Sequence, residues 1–197
     1  APRERLRWDA AEAAAEEQQL KQLMRGDRGK DQRKLYKEIM SALEQWRTAS
    51  PTTTATSAAP QYFIDAAQGR GKTTLARRII ASLRARNAAD GTVVLIAAST
   101  GLAALNYSGA TTAHSLFKIP VLERGDDDST LQCNLSSSSQ RADLIRAASV
   151  IIWDEFAMAD ASWVDAVDRA LSDITGDQRA CALCILCSSQ KKRTYSV

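Results

Sequence analysis

The sequence predicts an α/β domain with a parallel sheet covered by helices, preceded by N-terminal helices. Three observations predict it. From Gln61 onward, short apolar runs alternate with helical patterns. Those runs are apolar throughout, as strands buried on both faces are. The first of them leads into a glycine-containing turn that opens a helix.

Taken in order, residues 3–25 are rich in Ala, Glu, Gln, Leu and Lys, all good helix formers. The apolar face there is thin (Leu6, Trp8, Leu20, Leu23 and Met24), which predicts an exposed appendage helix. Gly26 and Gly29 interrupt it. Residues 31–47 carry Leu35, Ile39, Met40 and Leu43 at helical spacing, an amphipathic stripe. Residues 49–60 are dominated by Thr, Ala, Ser and Pro and predict a linker between the helical segment 1–48 and the domain 61–178. Within that domain, strands are expected at 62–64, 92–97 and 150–153. Helices are expected at 72–86, 101–106, 141–147 and 161–174, with a polar loop at 123–140. Residues 179–197 are read as an atypical tail. Its three cysteines, Cys181, Cys184 and Cys187, have the two-residue gaps of a metal or iron–sulfur run, but no fourth ligand follows.

Composition excludes some classes. The 197 residues are 45% hydrophobic and 25% charged, with a formal net charge of +3, which are globular proportions. No run approaches the ~18 apolar residues of a membrane span, and residues 1–5 lead into a Glu- and Ala-rich stretch rather than a signal core. No membrane partner and an intracellular address are therefore expected, nuclear or mitochondrial, or cytoplasmic in a prokaryote. The chain begins with Ala1 and reads as a fragment or a processed form.

The strongest local signal is Ala66-Ala67-Gln68-Gly69-Arg70-Gly71-Lys72-Thr73, followed by Thr74. Between a strand and a helix, this is the setting of a phosphate-binding loop. Backbone amides there point at phosphate oxygens, and Gly69 and Gly71 let the backbone approach. Arg70 adds positive charge. Lys72 can neutralise terminal phosphates, and the Thr73 hydroxyl can ligate Mg²⁺. Ala66 stands where the pattern has Gly. A left-handed backbone there would cost about 1–2 kcal/mol, and any other would make the change nearly silent. Downstream, Val150-Ile151-Ile152-Trp153 ends in Asp154-Glu155. Asp154 can hold Mg²⁺, and Glu155 can orient and deprotonate a water attacking the γ-phosphate. Two carboxylates point toward hydrolysis of ATP.

Between these motifs lie Ser99-Thr100-Gly101-Leu102-Ala103-Ala104, then Gly109-Ala110-Thr111-Thr112-Ala113-His114-Ser115, then Phe117-Lys118-Ile119-Pro120. In this order and spacing, with Trp153-Asp154-Glu155 and Met158, they resemble the petite-integration-frequency family of DNA helicases of superfamily one. The resemblance spans residues 61–177 and implies the first, RecA-like, P-loop NTPase motor lobe of an ATP-driven machine. It implies 5′-to-3′ movement on single-stranded DNA and a place in repair, recombination and telomere maintenance. It also implies DNA contacts at Thr100, Gly101, Thr111, His114 and Ser115, and an adenine-reading role for Gln32. His114 is the chain's one histidine. Phe117 reads as core before it reads as a base-stacking face. The family's Gly-Asp-x-x-Gln motif and second lobe are not found after residue 178, so weak ATP hydrolysis is expected of this chain. Two other readings stay open: a phosphate-loop ATPase or kinase without DNA contact, and a truncated, catalytically weak nucleotide-binding module.

Overall fold

The computed structural model describes residues 8–48, 60–121, 131–176 and 183–188. The sheet is five-stranded and parallel throughout, in the order β1-β5-β4-β2-β3. Its strands are β1 (Gln61–Asp65), β2 (Val94–Ala98), β3 (Thr111–Thr112), β4 (Val150–Asp154) and β5 (Leu183–Ser188). The helices are α1 (Ala10–Leu23), α2 (Lys30–Thr48), α3 (Lys72–Asp90), α4 (Gly101–Ala104), α5 (Ala113–Phe117), α6 (Gln140–Arg146) and α7 (Ala161–Thr175).

The two central strands show why the sequence reads as it does. Every residue of β2 and β4 is buried. Successive side chains leave a strand on opposite faces. Val94, Ile96, Val150 and Ile152 therefore join one core with Ile39, Leu43, Leu75, Ile79 and Leu83 of α2 and α3. Leu95, Ala97, Ile151 and Trp153 join the other with Leu116, Phe117, Ile145, Val167 and Ile174 of α5, α6 and α7. A sheet sandwiched this way needs apolar residues on both faces, and periodicity alone then shows no alternation.

Three features depart from the sequence reading. First, α1 is not an exposed appendage. It lies along α3, burying Ala13 and Leu20, with Met24 just beyond its end also buried. Glu16 pairs with Arg77 at 2.9 Å and Glu17 with the buried Arg78 at 3.1 Å. The Arg78 guanidinium also lies 3.8 Å from the Tyr36 ring centroid. Charged partners on two facing helices thus complete a seam whose apolar stripe is thin. Asp9 caps α1 by accepting from the backbone N–H groups of Ala11 and Glu12.

Second, the sheet does not stop at residue 178. Leu183–Ser188 forms β5, between β1 and β4. The run Leu183-Cys184-Ile185-Leu186-Cys187 is a short apolar strand in which buried cysteine acts as a small hydrophobe. Cys187 is fully buried, and burial raises its thiol to about 12. Among the described residues no cluster of His, Cys, Asp or Glu could hold a metal ion. Third, Thr111–Thr112 pairs with Ala97–Ala98 as a two-residue strand, too short for any pattern to reveal.

Residues 49–59 of the linker, residues 122–130 at the start of the polar loop, residues 177–182 including Cys181, and residues 189–197 lie outside the described residues. No described helix is long and apolar enough to cross a membrane.

Candidate functional site

All five strands point the same way, so the turns after them gather along one edge of the sheet. In open α/β sheets that carboxyl edge is where ligands bind. The phosphate loop leaves β1 there, and Asp154 ends β4 with β5 between them.

In the loop, Gly69 and Gly71 have φ of +74° and +81°. This is the left-handed region, where a side chain is strained. Ala66 is not among the residues with positive φ, so its replacement of glycine costs no backbone strain. Lys72 opens α3 and is 8% exposed. Its ammonium donates to the Ala66 carbonyl and, at 3.0 Å, to the Ala67 carbonyl. An ammonium has three donors, so one remains for a phosphate oxygen. Thr73 and Thr74 are half-buried in the first turn of α3, while Arg70 is exposed.

Gln32, from the start of α2, donates through Nε2 to the Arg70 carbonyl at 2.6 Å. The sequence-predicted glutamine therefore sits on the loop itself. A Cβ on Gly71 would lie 2.2 Å from that Nε2. Gly71→Ala thus meets both a forbidding φ and the glutamine tether. It is expected to destabilise the fold by about 1–2 kcal/mol from backbone strain alone, lower the melting temperature, and displace Gln32. Thermal denaturation with and without Gln32→Ala measures this, since removing the tether should relieve only the clash.

Facing the loop, Asp154 is buried. Its Oδ2 accepts from the Tyr107 hydroxyl at 2.9 Å and its Oδ1 from the Glu155 backbone N–H at 3.0 Å. Burial raises the Asp154 carboxyl above the usual range, while the Tyr107 and Glu155 hydrogen bonds and the Lys72 charge oppose that rise. Glu155 follows with φ +51°, left-handed for a residue that has a Cβ. Such strain collects at functional sites, because only surrounding structure can hold it. Behind them the Trp153 indole N–H donates to Ser99 Oγ at 3.0 Å, and the Ser99 N–H donates to the Asp154 carbonyl at 3.1 Å.

The second group lies along the same edge, at β2 and β3. Thr100 caps α4, accepting from the Ala103 N–H at 3.1 Å, and Gly101 begins that helix with open space where a Cβ would stand. Thr111 is exposed on β3, and Ser115 is exposed on α5. Thr112 caps α5 by accepting from the Ser115 N–H. His114 packs against the Trp163 ring, with centroids 4.3 Å apart and planes at 82°. Phe117 is buried against Trp153 and offers no face to a base. The structure thus gathers the predicted residues into two clusters, one at β1/β5/β4 and one at β2/β3. With strands ~4.8 Å apart, four spacings separate the outer strands.

Sequence reasoning missed Tyr107 and Ser99 as partners of the acidic strand end. A buried phenol needs a hydrogen-bond partner, but its sequence cannot say which.

Comparison with known proteins identifies the family. A family model described as PIF1-like helicase matches residues 27–183. The ATP-dependent DNA helicase PIF4 of Trypanosoma brucei brucei (strain 927/4 GUTat10.1) is 32% identical over 114 residues, 58% of this chain and 13% of that protein. The chain thus spans only a small part of its curated relative. Among solved structures, Pif1 helicase from Candida albicans is 24% identical with a TM-score of 0.56, covering 80% of this chain and 31% of that one. Bacteroides Pif1 in complex with ADP-AlF3 and ssDNA is 22% identical with a TM-score of 0.55, covering 81% of this chain and 34% of that one. At these identities the structural likeness shows the fold alone. The family match covers most of the chain, and the chain belongs to the PIF1-like helicase family.

Proposed function

We propose that this chain is part of the ATP-driven motor of a DNA helicase, binding Mg-ATP at the phosphate loop and single-stranded DNA along β2 and β3. The observation that carries the reading is the meeting of Lys72, Thr73 and Asp154 at one sheet edge, beside a separate hydroxyl-rich cluster at Thr100, Thr111 and Ser115 on the same edge.

The chemistry follows from the groups present. The amides of the loop and of the start of α3 bind phosphate oxygens. Lys72 keeps a donor for the terminal phosphates, and Gln32 borders the loop where a base could rest. The Thr73 hydroxyl and Asp154 carboxylate are hard oxygen donors, the kind Mg²⁺ takes. When bound, Mg²⁺ would neutralise charge on the β- and γ-phosphates. Glu155, fixed at the strand end, would orient the attacking water and take its proton. Thr100, Thr111 and Ser115 offer hydroxyls, and Gly101 an unobstructed backbone, to DNA phosphates. Support for both ligands also comes from the solved relative that holds ADP-AlF3 and ssDNA.

Movement along DNA in the 5′-to-3′ direction, and roles in repair, recombination or telomere maintenance, belong to this proposal through family membership. An intracellular address, nuclear or mitochondrial, or cytoplasmic in a prokaryote, is part of the same proposal. Titrating the chain with a fluorescent ATP analogue in Mg²⁺, and separately with a labelled single-stranded oligonucleotide, tests both halves. Saturation by both is expected. Saturation by neither would overturn the reading, and saturation by nucleotide alone would favour an ATPase module without DNA contact.

A further inference from the structure

Tyr107 lies outside every motif read from the sequence, yet it touches a group assigned to the cation. It stands on the loop between α4 and β3, with its ring buried in the core shared by the sheet and α3. Its hydroxyl donates to Asp154 Oδ2 at 2.9 Å. A phenol has one proton to give, and here it is committed to the carboxylate. That bond occupies Asp154 Oδ2 while the Glu155 N–H occupies Oδ1, so the carboxylate cannot rotate freely.

The loop carrying Tyr107 is itself held. The Tyr107 N–H donates to the Ala104 carbonyl at 3.2 Å, and the Ala110 N–H donates to the Tyr107 carbonyl at 3.3 Å. The buried Arg84 donates to the Ser108 carbonyl, while its guanidinium stacks 3.5 Å from the Trp8 ring centroid. Gly109 fits against that same indole, where a Cβ would lie 2.8 Å from Trp8. A phenol anchored at both ends in this way is a fixed template and not a passing contact.

We infer that Tyr107 is a positioning residue for the divalent cation that accompanies the nucleotide, acting through Asp154. This rests on the reading that Asp154 helps to hold Mg²⁺. Groups that orient metal ligands typically change metal affinity by about 10–100-fold when removed. The test is Tyr107→Phe in the full chain, which keeps the ring and removes only the hydroxyl. Binding of a fluorescent ATP analogue is followed across a Mg²⁺ titration and in excess chelator, with thermal denaturation alongside. The expected result is unchanged affinity in chelator and a Mg²⁺ midpoint raised about tenfold or more. An unchanged or lowered midpoint would overturn the inference. So would equal loss of affinity with and without Mg²⁺, which marks a purely structural tyrosine. If the unaltered chain gains no affinity from Mg²⁺, the cation reading itself falls and this inference with it.

Discussion

Lys72→Ala is expected to weaken Mg-ATP binding by roughly 10–100-fold in an equilibrium titration. Hydrogen bonds to charged groups contribute about 1.5–3 kcal/mol, and each 1.4 kcal/mol is a factor of ten in affinity. The Lys72 ammonium is held by the Ala66 and Ala67 carbonyls, so its position is set before a ligand arrives. The variant therefore loses a pre-placed charge rather than a mobile one. It also frees two loop carbonyls that Lys72 now gathers, which should loosen the turn. Affinity within a factor of two of the unaltered chain would show that phosphates are bound elsewhere.

Ile152→Ala is expected to destabilise the fold by about 2–5 kcal/mol, the usual cost of truncating a buried isoleucine. Ile152 is fully buried in the middle of β4, between β2 and β5, with its side chain in the core against α3. For a chain of this size each kcal/mol lowers the melting temperature by about 2–4 °C, so a fall of roughly 4–20 °C should appear in calorimetry. Asp154 is two residues along the same strand and on the same face. Nucleotide affinity should therefore fall too, measured below the new melting point. A shift under 2 °C would mean that β4 is not the centre of the sheet.

What the sequence made legible follows physical rules. The loop from Ala66 to Thr73 and the pair Asp154-Glu155 could be read directly, because phosphate and cation chemistry demands those residue types beside a strand. Strands β2 and β4 were legible because burial on both faces requires continuous apolar runs. Strand β5 is just as apolar, but its cysteines at two-residue gaps also fit a metal-binding run, and its place between β1 and β4 is a matter of tertiary pairing. Helix α1 was misjudged because its docking uses Glu16 and Glu17 against Arg77 and Arg78, and charge pairs across two helices leave no periodic signature. The αL backbone of Glu155 and the Tyr107–Asp154 hydrogen bond are tertiary facts. Residues 107 and 154 meet only because β2, β4 and the loop after α4 converge at one edge.

The proposed motor requires that the edge at β2 and β3 meet single-stranded DNA in the same chain that binds nucleotide. Anisotropy of a labelled oligothymidylate, titrated with the chain at low and at moderate salt, tests it most directly. The predicted result is saturable binding that weakens as salt rises, because counterions are released from the phosphates. A Thr111→Ala, Ser115→Ala double variant should bind about tenfold or more weakly, with its nucleotide affinity unchanged. Intact nucleotide binding with no saturable DNA binding at low salt would contradict the claim.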